Sequence, residues 1–191
     1  MKYDDIKTIA DAIEFYKSEN SQKAIETIQN NRDVNYLNNN FAMALCLTDV
    51  MLRNATRQIC ILAGDNIFKL LNILQNPFTL CYNAIQDKSN IRILAMGTTA
   101  QLDPDNSESY LKFKKVFKDI EIKRKVIQDP LKVRHYIICD NDVRIEDAHF
   151  PVGLSSSANR IHATVYFNAK PADVDLLKTK FAQSIESADI L

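Results

Sequence analysis

A mixed α/β sheet flanked by helices, with an N-terminal helical extension, is the fold class that the 191 residues predict. Three observations carry it. From residue 56 onward, short apolar runs of β character alternate with stretches of helical periodicity. Residues 132–146 read as two strands joined by a tight turn. Residues 1–55 have helical periodicity alone, and no Pro/Gly/Ser-rich linker separates them from residue 56 onward. Two parts are therefore expected: residues 1–55 as a helical extension packed on the core, and residues 56–191 as the α/β domain.

The elements are taken in chain order. Over residues 4–29, Ile6, Ile9, Ala10, Ile13, Phe15 and Tyr16 fall near one helical face, continued by Ala24, Ile25 and Ile28. Ser18-Glu19-Asn20-Ser21 divides this stretch into two helices, with Asn20 or Ser21 as the cap. A helix within 34–54 starts after Asn38-Asn39-Asn40, and FAMALCLTDVML is apolar on most sides, so it is expected to be deeply buried. RQICILAG (57–64) is a strand ended by Gly64, and residues 66–88 are helical with a break at Pro77. NIRILAMG (90–97) is a second buried strand. Asp105-Asn106-Ser107 caps a helix over 107–118, and DIEIKRKVI (119–127) is a third strand. Asp129-Pro130 marks a turn. Residues 132–139 and 142–146 form a hairpin across Asp140-Asn141, a pair that tolerates positive φ. AHFPVGLSSSAN is a loop and RIHATVYFN (160–168) a strand. Residues 171–187 form a closing helix with Pro171 in its first turn and Val174, Leu176, Leu177, Phe181 and Ile185 on its apolar side.

Composition narrows the function classes. Lys and Arg number 24 against 24 Asp and Glu, so no global field favours nucleic acid or membrane. The four cysteines, Cys46, Cys60, Cys81 and Cys139, lie in apolar runs without C-x-x-C spacing, as buried thiols of a reducing compartment do. The N-terminus lacks a signal-peptide pattern and no window reaches membrane-span length, so a cytoplasmic protein is expected. Three glycines cannot build a phosphate-binding or dinucleotide loop, and neither G-x-S-x-G nor H-E-x-x-H occurs. His149, His162 and Cys139 match no zinc spacing, so neither metal nor cofactor is expected. His149 reads as a surface residue and His162 as a hydrogen-bonded sheet histidine.

The stretch KVRHYIICDND (132–142) carries the chemistry. The order ICILAG, helix, NIRILAMG, helix, DIEIKRKVI, RHYIICDNDVRI resembles the repeating half of the phospholipase D-like superfamily, over about residues 56–190. The later YFN, turn and helix with Phe181 are also similar to that family. Its motif strand carries H-x-K-x(4)-D, with G-S-x-N after it. The resemblance implies a histidine that attacks phosphorus to give a phosphohistidine, and a second histidine, from another half or subunit, that protonates the leaving oxygen. Lysines hold the phosphate oxygens, and no metal is required. Side chains at i and i+2 share one strand face, which sets the His–Lys spacing.

Two registers fit this motif onto the chain. With Asp140 as the aspartate, Val133 stands at the histidine position and His135 at the lysine position. With His135 as the nucleophile, Ile137 replaces the lysine and Asp142 becomes the aspartate. Ser155-Ser156-Ser157-Ala158-Asn159 stands in the place of G-S-x-N. The resemblance therefore implies a degenerate, non-catalytic homodimeric module for binding or assembly. A residual phosphate site would draw on Arg134, His135, Ser155, Ser157 and Asn159, and the helical extension would extend the dimer contact or dock a partner protein. The alternatives are a metal-independent phosphodiesterase or nuclease using His135 from two subunits, and a protein-interaction adaptor. A half-buried histidine hydrogen-bonded at a strand start is the plain reading of His135. The basic run from Lys112 to Arg134 includes Lys112, Lys115, Lys123 and Lys125, which would share a positive face for a nucleic-acid backbone. A solvated helix face balanced by acids is the plain alternative, and few aromatics interleave for base stacking.

Overall fold

In the computed structural model, residues 6–129, 133–146 and 162–191 are described. The apolar run ICIL explains the centre of the sheet. Its residues are buried on both faces, as happens in strands covered by helices on each side. This strand, β2 (Ile59–Gly64), pairs in parallel with β3 (Ile91–Gly97), which pairs in parallel with β4 (Glu121–Val126). The crossovers are helical: α4 (Ile67–Ile73) and α5 (Gln75–Ala84) between the first two strands, and α6 (Pro104–Val116) between the second and third. On the other side of β2, β5 (Tyr136–Cys139) runs antiparallel and turns into β6 (Asp142–Glu146). Next to it lies β7 (Ala163–Tyr166), and outermost is β1 (Tyr36–Asn38). At the opposite end β8 (Asp189–Ile190) closes on β4. The sheet order is β1-β7-β6-β5-β2-β3-β4-β8, a mixed sheet flanked by helices as expected.

Period-two alternation splits the core into two layers. Ile59, Ile61, Ile91, Ile93, Ile122 and Ile137 point to one face, where α3 (Phe41–Asn54) and α4–α6 pack. Phe78, Phe113 and Phe117 interlock there, with centroids 4.7–5.1 Å apart. Outside α3 lie α1 (Ile9–Tyr16) and α2 (Glu19–Asn30). Cys60, Leu62, Leu94, Met96, Tyr136, Ile138 and Val143 point to the other face, covered by Val174, Phe181 and Ile185 of α7 (Pro171–Glu186). The helix α3 is apolar nearly all round because it lies between the sheet and the two outer helices. Its one buried acid, Asp49, accepts from the Tyr16 hydroxyl at 2.6 Å and from Arg53, which ties α1 to α3.

Several local readings need correction. Ser18, not Asn20 or Ser21, caps α2, and its hydroxyl accepts from the Ser21 N–H. Asp103 caps α6, which therefore begins at Pro104, ahead of Asp105-Asn106-Ser107. The break between α4 and α5 falls at Leu74; Pro77 sits within the first turn of α5, where its missing N–H costs nothing. The strands β1 and β8 were not expected; at three and two residues they are too short to show an alternating pattern. His162 precedes β7 and is exposed rather than lying within the sheet. The start of the first helix before Ile6, Pro130, the loop over 148–159 and His149 lie outside the described residues. Among the described residues no helix is long and apolar enough to cross a membrane.

Candidate functional site

The carboxyl edge of β2, β3 and β4 is where open α/β sheets bind ligands. One row of residues crosses the sheet there, on the face that carries α3 and α4. Asn38 stands opposite Ala163, and Ala163 opposite Glu146. The Glu146 N–H donates to the His135 carbonyl at 2.9 Å. One rung beyond the Leu62–Tyr136 pair, the row continues through Ala63 and Ala95 to Arg124. The row thus sets Asn38, Glu146, His135 and Arg124 among three alanines.

His135 is 8% exposed, Glu146 5% and Arg144 3%. The His135 Nδ1 lies 3.2 Å from Glu146 Oε2, and Arg144 Nη1 donates to Glu146 Oε1. Burial alone would raise the Glu146 carboxyl, but the charge of Arg144 and the contact with His135 outweigh it and hold it below the ordinary carboxylate range. An ionised carboxylate only accepts, so Nδ1 of His135 donates in this contact. Phe41, Gly64, Asn66, Ile67, His135 and Arg144 line a cavity of about 30 Å³, room for about two water molecules. Among the described residues, Arg144 Nε and both amide atoms of Asn38 are buried without a hydrogen-bond partner.

Beside this cluster, Arg124 clamps Asp65 through Nε at 2.9 Å and Nη2 at 2.7 Å, while its Nη1 donates to the carbonyls of Thr99 and Ala100. Gly97 makes room for the clamp: a Cβ there would lie 2.0 Å from Asp65 Oδ2 and 2.1 Å from Arg124 Nη2. At the opposite end of β5, Asp140 has φ of 54°. Its carboxylate accepts from the backbone N–H groups of Thr56, Arg57 and Gln58 at 2.9–3.0 Å. The hairpin corner is thereby latched to the start of β2.

Of the expected site residues, the structure does not bring Arg134 and His135 together. Neighbours in extended chain alternate faces, so Arg134 turns away from His135 and borders two grooves, one beside α7 and one that Asn38 and Glu146 also line. Ser155, Ser157 and Asn159 lie outside the described residues. The expected positive face is divided: Lys112 and Lys115 are exposed on α6, on the α3 side of the sheet, whereas Lys123 and Lys125 reach Ile185 and Ser187 on the α7 side. Arg144 and Glu146 were missed. Their signal was present in D-x-R-x-E (142–146), whose polar positions share one strand face and whose other face is Val143 and Ile145. Among the described residues no group of three His, Cys, Asp or Glu could hold a metal ion.

No protein-family model matches the chain, and no curated protein matches it either. Solved structures do. The chain is similar to TrmBL2, an archaeal chromatin protein with a novel mode of DNA binding, at TM-score 0.57 and 16% identity, covering 91% of this chain and 62% of that one. It is also similar to phosphatidylserine synthase from Haemophilus influenzae Rd KW20, at TM-score 0.51 and 10% identity, covering 83% of this chain and 39% of that one. The chain thus spans less than two thirds of either neighbour. At such identities the likeness extends to the fold alone.

Proposed function

We propose that this chain is a non-catalytic phospholipase D-like module that works by binding or assembly, as a homodimer, with nucleic acid as a candidate ligand. The observation that carries the reading is the state of His135. It is buried, engaged by Glu146, and bordered by a cavity with room for about two water molecules. Two positions away on either side stand Val133 and Ile137, neither of which can hold a phosphate oxygen by charge. Placing the motif aspartate on Asp140, whose carboxylate latches the hairpin corner, leaves Val133 where the nucleophile belongs. Similarity to a DNA-binding chromatin protein supports a binding role.

A second reading draws on the same contact. A carboxylate on Nδ1 is what orients an imidazole for nucleophilic attack through Nε2. Both readings meet in one experiment. Hydrolysis of a generic phosphodiester is measured in chelator for the wild type and His135→Ala, alongside binding to single- and double-stranded DNA over a salt series. The proposal expects no turnover from folded protein, a dimer by sedimentation, and DNA affinity that falls with salt. Metal-independent turnover lost in His135→Ala would replace it with the phosphodiesterase reading. A folded monomer that neither turns over nor binds DNA would leave the adaptor reading.

A further inference from the structure

On the sheet face opposite His135, α7 packs over β2 and β4 and is propped on β5, where the Tyr136 hydroxyl donates to the Leu177 carbonyl at 3.3 Å. It leaves β6 and β7 partly open. The result is a groove of about 600 Å³, within the range of about 300–1,000 Å³ that small-molecule sites occupy. Val143, Ile145, Tyr166, Leu176 and Leu177 give it an apolar floor and wall, with Asn35 and Asn168 beside them. Leu176 is 55% exposed and Tyr166 37%, so large apolar side chains face water here. The rim is cationic. Arg134 from the strand side and Lys170 and Lys180 from the helix side border the groove against a single acid, Asp173. Among the described residues none of these three cations makes an ion pair.

Three cations against one acid select an anion, and the floor selects an apolar body. From this pairing we infer that the groove binds a single-chain amphiphilic carboxylate, its head held by the rim and its chain lying along β6 and β7. A guanidinium offers the carboxylate a two-point contact, and the lysines add charge. A small inorganic anion would leave the apolar floor wet, and an uncharged apolar ligand would leave the rim unanswered.

Decanoate, butyrate and decyltrimethylammonium are titrated calorimetrically into the full chain. Decanoate is expected to saturate one site and to bind about tenfold or more tightly than butyrate, which lacks six methylenes, and than the cationic chain. The double variant Arg134→Gln/Lys180→Gln, which changes only exposed side chains, is expected to weaken decanoate about tenfold or more. His135→Gln, on the other face, is expected to leave it unchanged, so this groove stands or falls apart from the role proposed for His135. The inference is overturned by a lack of saturable binding, by equal affinity for the three probes, or by an unchanged double variant. It is equally overturned by adsorption to phosphatidylglycerol vesicles that decanoate does not displace, which would make the groove a membrane contact.

Discussion

The ion pair at Glu146 is buried with both of its neighbours, and this sets what its loss should do. Removing one member of a buried charged cluster leaves the others uncompensated. Glu146→Gln is therefore expected to cost about 3 kcal/mol in urea unfolding at neutral pH. The sign with pH is set by its depressed carboxyl. Its contribution is complete above the ordinary value of 4.5 and is lost as pH falls through the lower folded value. Stability measured from pH 7 to pH 3 should drop more steeply below 4.5 in the wild type than in Glu146→Gln. The Gly97 site makes a second claim at this scale. Gly97→Ala forces a methyl into the Asp65–Arg124 clamp and should cost about 2 kcal/mol or more. In an Arg124→Met background the same substitution should cost much less, a coupling that a double-mutant cycle reads directly. These residues were legible only in part. Gly97 is visible in the sequence as the end of a strand, but its partners come from the end of β2 and from β4, and no spacing in the sequence joins them.

Among the elements, the hairpin is the best test of what holds the sheet in register. Asp140 both adopts positive φ and supplies a carboxylate to three N–H groups of the segment entering β2. Asp140→Gly keeps the conformational freedom and removes the latch, whereas Asp140→Ala removes the latch and adds strain. Thermal unfolding should rank wild type above Gly above Ala, the last step being about 1 kcal/mol. The long elements were readable because burial writes a period into the chain: FAMALCLTDVML announced a helix covered on all sides, and ICIL a strand covered on both. Helix starts differ by two to three residues because Ser18 and Asp103 each compete with nearby capping residues, Asn20 and Ser21 in one case and Asp105 to Ser107 in the other. The positive face was misread for a different reason. Lysines close in sequence are not close in space here: α6 packs on the α3 side of the sheet, whereas Lys123 and Lys125 reach the end of α7.

For the whole molecule, the two-layer core makes a chemical prediction. All four thiols are buried, and burial pushes Cys46 and Cys81 up to about 12. The native protein should therefore release almost no colour with a disulfide reagent at pH 8, and denaturant should expose four thiols at once. A thiol that reacts natively would show that one of the covering helices, α3, α5 or α7, opens without global unfolding. The strand–helix order was legible at this scale. The separation of Arg134 from His135 was not, because a motif is written along one line of the chain while extended backbone turns neighbouring side chains to opposite faces.

Both rims of the eight-stranded sheet end in very little strand: three residues in β1 and two in β8. Each offers a neighbour only a rung or two of unpaired backbone. Growth of one sheet into the next, the route by which exposed edges seed fibrils, has almost nothing to template on. A second copy must therefore join through side chains on a face or a helix. Any association of this chain should accordingly respond to surface charge and apolar substitution, and remain indifferent to changes confined to the sheet's margins.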